Sequence, residues 1–210
     1  MRTKLLSAIA YILIAAATAS AQNVELTGFI GGQTNGGLDL STTAFERVDV
    51  QNGISYGLAA GYLLGEHGAI EFLWNYNNAD TVAVPRGGGT SRKLFTLDTN
   101  QYFANFLFHS SPREQKLRPF VLAGLGATNL HAASSSDSSI TRFAFALGAG
   151  AKYNFNRRFG MRLQAKWSPT YVTTTSGGFW CDPFWGGCWV VGDDHFLNEF
   201  DVSAGLTFRF

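Results

Sequence analysis

The sequence predicts an all-β fold, an eight-stranded antiparallel up-and-down transmembrane β-barrel that follows a cleaved signal peptide. Three observations predict it. At the C-terminus, Phe200, Val202, Ala204, Leu206, Phe208 and Phe210 alternate with Glu199, Asp201, Ser203, Gly205, Thr207 and Arg209. This is the period of a strand whose two faces meet different surroundings. Tilted by about 40°, such a strand spans roughly 28 Å, close to the apolar band of a bacterial outer membrane. The composition is 46% hydrophobic with only 15% charged residues, where a soluble domain carries about 25%. Much of the surface is therefore expected to face something other than water. Lastly, long and short connections alternate along the chain.

The elements follow in order. Arg2 and Lys4 precede an apolar stretch from Leu5 to Ala17, and Ala19-Ser20-Ala21 is a small-residue cleavage site, which reads as a signal peptide over residues 1–21. The apolar stretch is short of the ~20 residues of a spanning helix. No cysteine follows the site to carry a lipid anchor. Without Arg2 and Lys4, the 16 basic residues become 14, against 15 acidic ones. This near-neutral balance gives no reason to expect nucleic acid. Residues 22–210 form one domain.

Eight segments carry the alternation: Val24–Gln33, Ile54–Leu64, Ala69–Asn77, Lys93–His109, Arg118–Thr128, Ile140–Tyr153, Gly160–Ser168 and Phe196–Phe210. Tyr56, Leu58, Ala60, Tyr62 and Leu64 share a face in the second. Ile70, Phe72, Trp74 and Tyr76 do so in the third, Phe143, Phe145, Leu147 and Tyr153 in the sixth, and Met161, Leu163 and Trp167 in the seventh. The opposite faces are rich in Gly and Ala and poor in Lys and Glu, as suits a narrow closed interior better than the wet face of a soluble sandwich. The fifth segment is apolar on both faces and its orientation stays open. Between the segments, Thr34–Gly53, Asn78–Arg92, Asn129–Ser139 and Thr170–His195 run about 20, 15, 11 and 26 residues. Gly65–Gly68, Ser110–Leu117 and Asn154–Phe159 run about 4, 8 and 6. Short periplasmic turns and long extracellular loops are the barrel pattern.

Through Val24-Glu25-Leu26-Thr27-Gly28, the run from Arg118 to Gly126, Gly160-Met161-Arg162-Leu163 and Phe208-Arg209-Phe210, the chain resembles the outer-membrane-protein-A-like family of small eight-stranded barrels. The resemblance implies a bacterial outer-membrane location, outer-membrane lipid as solvent and a barrel domain alone. It also implies that Phe208 and the terminal Phe210 form the signal read by the barrel-assembly machinery. It implies no catalytic residue, cofactor or metal. A closed barrel has no sheet edge, so a monomer is the default.

An eight-stranded barrel is wide enough only for its own side chains, and charges pointing inward need partners. Glu71, Lys152, Arg162 and Arg209 lie towards the periplasmic end; Lys166, Glu199 and Asp201 lie towards the outer end. Two layers are expected, Glu71 with Arg162 and Arg209 below, and Lys166 with Glu199 or Asp201 above. The alternative is that some of these reach bulk water at a rim. Trp74, Tyr76, Trp167 and Tyr171 are expected at the outer interface, and Tyr62, Tyr153 and Phe210 at the inner one.

The last long loop holds both cysteines, Cys181 and Cys188, with Trp180, Phe184, Trp185 and Trp189. In an exported chain such a pair reads as a disulfide. The aromatic residues are candidates for surface contact or for folding over the barrel mouth. Asp193-Asp194-His195 is a weak cation candidate. His131 near Ser134–Ser136 lacks the spacing that would enforce a catalytic pair. A structural or cell-surface interaction role is the leading expectation. A small pore or hydrophobic-molecule conduit is the alternative, with lipid A modification behind it.

Overall fold

The computed structural model describes residues 23–35, 38–39, 45–85, 92–133, 138–172, 180–181, 188–189 and 195–210. The expected signal peptide lies outside them. Eight long strands make the barrel: β1 Val24–Asn35, β2 Gly53–Leu64, β3 Gly68–Pro85, β4 Arg92–His109, β5 Leu117–Ala133, β6 Ser138–Asn154, β7 Phe159–Trp167 and β8 Glu199–Arg209. Short segments Thr170–Val172 and His195–Leu197 pair with each other and continue β7 and β8 past breaks at Ser168-Pro169 and Asn198.

Every strand pairs antiparallel with its sequence neighbour, and β1 pairs with β8 to close the sheet. Rung by rung, Thr207 leads through Thr27, Ala59, Leu73, Phe103, Gly126, Ala144 and Thr170 to Leu197. The circuit thus returns ten residues from its start. For eight strands this stagger gives a tilt of about 40° and a backbone cylinder about 16 Å across.

The turns follow local chemistry. Gly65 has φ +62°, a left-handed conformation that costs glycine little and lets β2 reverse into β3. Between β6 and β7, the Asn156 side-chain oxygen accepts from the backbone N–H of Arg158 and Phe159, both at 2.8 Å, an Asx-type turn.

The outward faces are as the alternation predicts. Leu206 is 71% exposed, Leu125 63% and Ile30 62%, a continuous apolar surface that water would penalise. Aromatic clusters bound it. Near the short turns, Phe208 packs edge-on against Phe159 and Phe210 at ring distances of 5.0 and 4.8 Å. Near the other end, Tyr56 meets Trp74 and Tyr76, Phe145 meets Trp167, and Tyr171 meets Phe196. Beyond the aromatic ring the outward side chains turn polar: Tyr76 donates to Asp98 at 2.8 Å and Thr96 to Asp80 at 2.9 Å.

Two expectations are corrected, and one left open is settled. The predicted loop 78–92 is mostly strand, for β3 and β4 run 18 residues each, well past the 9–11 needed to span. Likewise, Phe45–Val50 in the predicted loop 34–53 pairs with the top of β3. The fifth strand also has a definite orientation: Arg118, Phe120 and Leu122 point inward, and Val121 and Leu125 outward.

Candidate functional site: the filled lumen

The interior is not lined by small residues alone. Phe29, Leu73, Phe103, Leu107, Phe120 and Leu122 are buried inside it. Three of these rings are accommodated by the register. Phe29 sits opposite Gly57, Phe103 opposite Gly126 and Phe120 opposite Gly150. A Cβ on each glycine would lie 2.6, 2.6 and 2.7 Å from the ring beside it. A large side chain fits a narrow cylinder by lying along the wall over a position that has no side chain.

Charges fill the periplasmic half. Glu25 accepts from Lys152 Nζ across the lumen and from Arg209 Nε at 3.0 Å. Glu71 pairs with Arg162 through both carboxylate oxygens, the second at 3.1 Å. Arg162 and Lys152 also lie over the Phe120 ring, 4.8 and 6.0 Å from its centroid. Arg118, buried, donates from Nη2 to the Glu66 carbonyl at 2.9 Å. The β2–β3 and β4–β5 turns are tied below it by a bond from His109 N–H to the His67 carbonyl at 2.8 Å.

The outer half is an amide network. Glu199 accepts from Gln101 Nε2 at 2.6 Å, from Gln33 Nε2 at 2.9 Å and from Thr170 Oγ1 at 3.3 Å. Gln101 Oε1 accepts from Lys166 Nζ at 2.7 Å and from Asn75 Nδ2 at 3.3 Å. Lys166 also lies over the Phe103 ring, 4.9 Å from its centroid. Asp201 accepts from the Ser55 hydroxyl over β1, the strand between theirs.

Of the sequence-predicted lumen residues, Glu71 and Arg162 are brought together. Arg209 does not join them: it is the register partner of Glu25, whose carboxylate is much closer at hand. Lys166 reaches Glu199 only through Gln101, because the amide lies between them. Glu25 and Arg118 were missed. Inward alternation on β1 would have found Glu25, whereas Arg118 depended on the orientation of β5. The backbone pairs Cys181 with Cys188 and Trp180 with Trp189 in a two-stranded ladder. The side chains of those four, and all of Phe184, Trp185, Asp193 and Asp194, lie outside the described residues.

A closed eight-stranded antiparallel barrel with an apolar belt, two aromatic rims and a polar filled lumen defines a small transmembrane β-barrel of the outer-membrane type. The chain belongs to the family described as outer membrane protein beta-barrel domain, whose model matches residues 8–210, and its location is the bacterial outer membrane. No curated protein matches the sequence. Among solved structures it is similar to the outer membrane protein OprG from Pseudomonas aeruginosa, with 14% identity, 90% of this chain and 97% of that one covered, and a TM-score of 0.64. Neisserial surface protein A gives 13%, 89%, 97% and 0.58. AlkL, solved in lipid bilayers, gives 16%, 90%, 90% and 0.54. At these identities the likeness concerns the fold.

Proposed function

We propose that this protein is a sealed barrel with a structural and cell-surface interaction role, its lumen acting as a plug rather than a passage. The observation carrying this reading is that charged and amide side chains from opposite walls meet across the lumen. Glu25 reaches Lys152, Glu71 reaches Arg162, and Gln101 reaches Glu199 and Lys166, all of them at most 3% exposed. Four consecutive strands, β3 to β6, rise beyond the membrane on the long-loop side as the surface for contact. The loop bearing Cys181 and Cys188 adds to it, stapled by a disulfide between these two backbone partners. Lipid, the assembly machinery reading Phe208 and Phe210, and an extracellular ligand are the proposed partners.

Planar-bilayer recording tests the reading. Purified refolded protein is expected to give no discrete conductance steps. Reproducible steps that scale with inserted protein would overturn the plug.

A further inference from the structure

We infer that the turns between β4 and β5 and between β6 and β7 seat the headgroup of an anionic inner-leaflet phospholipid on Lys116, Arg157 and Arg158. The sequence of these two connections is one-sided in charge. Arg113, Lys116, Arg157 and Arg158 stand against Glu114 alone. Arg113 spends its side chain on Asn23, to which Nη2 donates at 2.7 Å. The other three cations are exposed. They form no ion pair with any described residue, Glu114 and the terminal Phe210 included.

Backbone bonds hold the three together. Asn154 of β6 donates from its N–H to the Lys116 carbonyl at 2.7 Å and from Nδ2 to the Gln115 carbonyl at 3.0 Å. This sets the end of one turn beside the start of the next. The Asn156 side chain closes the second turn around Arg157 and Arg158, and the Arg209 N–H ties the Arg158 carbonyl to β8 at 2.7 Å. None of these bonds uses a cationic side chain, so all three heads remain available to a ligand.

Their level identifies the occupant. Lys116 adjoins Leu117, and Arg157 and Arg158 fall between Phe155 and Phe159. Those apolar residues are exposed on the lipid side with Tyr153, whose ring meets Phe155 edge-on at 5.5 Å. At about 3.4 Å per residue, the cations lie within the headgroup layer, roughly 5–7 Å thick on each side of a bilayer. One phospholipid meets both halves, its chains against the rings and its phosphate against the cations. A guanidinium fork pairs two phosphate oxygens at once. A zwitterionic headgroup carries its own cation, whereas an anionic one leaves its charge for the protein. Beyond the outer rim the described outward positions include Asn78, Asp80, Asp98 and Asn100 and no Lys or Arg, so the preference belongs to the short-turn end. The site follows from the outer-membrane location and does not depend on the lumen being a plug.

The experiment is thermal unfolding of refolded protein, followed on unboiled gels, in phosphatidylcholine vesicles with and without about 30% phosphatidylglycerol. The turns are assembled only in the folded barrel, and a ligand of the folded state raises its midpoint. Wild type should gain roughly 5 °C from the anionic lipid at low salt and lose that gain at about 1 M sodium chloride. The variant carrying Lys116→Gln, Arg157→Gln and Arg158→Gln should show no gain. If it does not fold, Arg157→Gln alone is compared and should keep about two thirds of the gain. Equal wild-type midpoints in the two vesicles would overturn the inference, as would a gain undiminished in the variant that folds. Poly-glutamate added to plain phosphatidylcholine vesicles should leave the midpoint unchanged. A rise matching that given by phosphatidylglycerol would assign the turns to an acidic periplasmic polymer and overturn the lipid.

Discussion

At the scale of single residues, the lumen is organised by pairs that neither member could form alone. Phe103 lies along the wall because Gly126 beside it has no side chain. Any Cβ there pushes into the Tyr102 carbonyl oxygen as well as the ring, and the tightly packed interior offers little space to yield. Gly126→Val should therefore cost about 1–3 kcal/mol through overpacking, read as a lower urea midpoint in vesicles; an unchanged midpoint would mean that the ring has room to move. The Glu71–Arg162 pair behaves oppositely to a surface ion pair. Glu71→Gln leaves a buried guanidinium without its carboxylate and should cost about 3–5 kcal/mol, whereas replacing both partners by Leu and Met should be close to neutral. A double mutant as unstable as the single one would contradict this account.

At the scale of elements, the strands are legible in the sequence only while they are in lipid. Outward apolar alternation marks β2, β7 and β8 because each outward residue there faces the bilayer. On β3 and β4 that signal stops near Tyr76 and Tyr102, where outward positions become Asn78, Asp80, Asn100 and Asp98, yet the hydrogen-bonded ladder continues to Pro85 and Arg92. Hydropathy reports the solvent, and the ladder does not depend on it. The inward face was harder to read for a similar reason. Neutral amides such as Gln33, Asn75 and Gln101 carry no charge to single them out, and β5 is apolar on both faces because Phe120 and Leu122 help fill the lumen. Among the described residues, the ladder from β6 to β7 and its continuation begins only at Ala144. Cysteine placed at Thr96 should react with a membrane-impermeant maleimide on intact cells, while cysteine at Phe72, in the apolar belt, should not. Equal labelling of the two would sink the raised wall.

At the scale of the whole molecule, closure decides how the protein behaves with its neighbours. Each spanning strand has both ladders occupied, so no backbone edge in the bilayer invites a second copy. The described outward faces of the spanning region are apolar, and lipid satisfies them as well as protein would. A groove of about 540 Å³ lies on this surface, where small Gly28 and Ala60 are flanked by Leu26, Leu58, Phe72 and Leu206. Its polar atoms are already engaged, Thr27 with Thr207 and the Trp74 indole with Asn100, and in lipid apolar contact supplies little association energy beyond van der Waals fit. Stability should therefore reside in the single barrel. Its unfolding midpoint in vesicles should stay constant when the protein-to-lipid ratio is lowered tenfold, and the unboiled protein should run as one compact monomer band. An oligomer required for folding would instead lose stability on dilution by mass action, and a midpoint that falls with the ratio would show that the groove is filled by another subunit rather than by acyl chains.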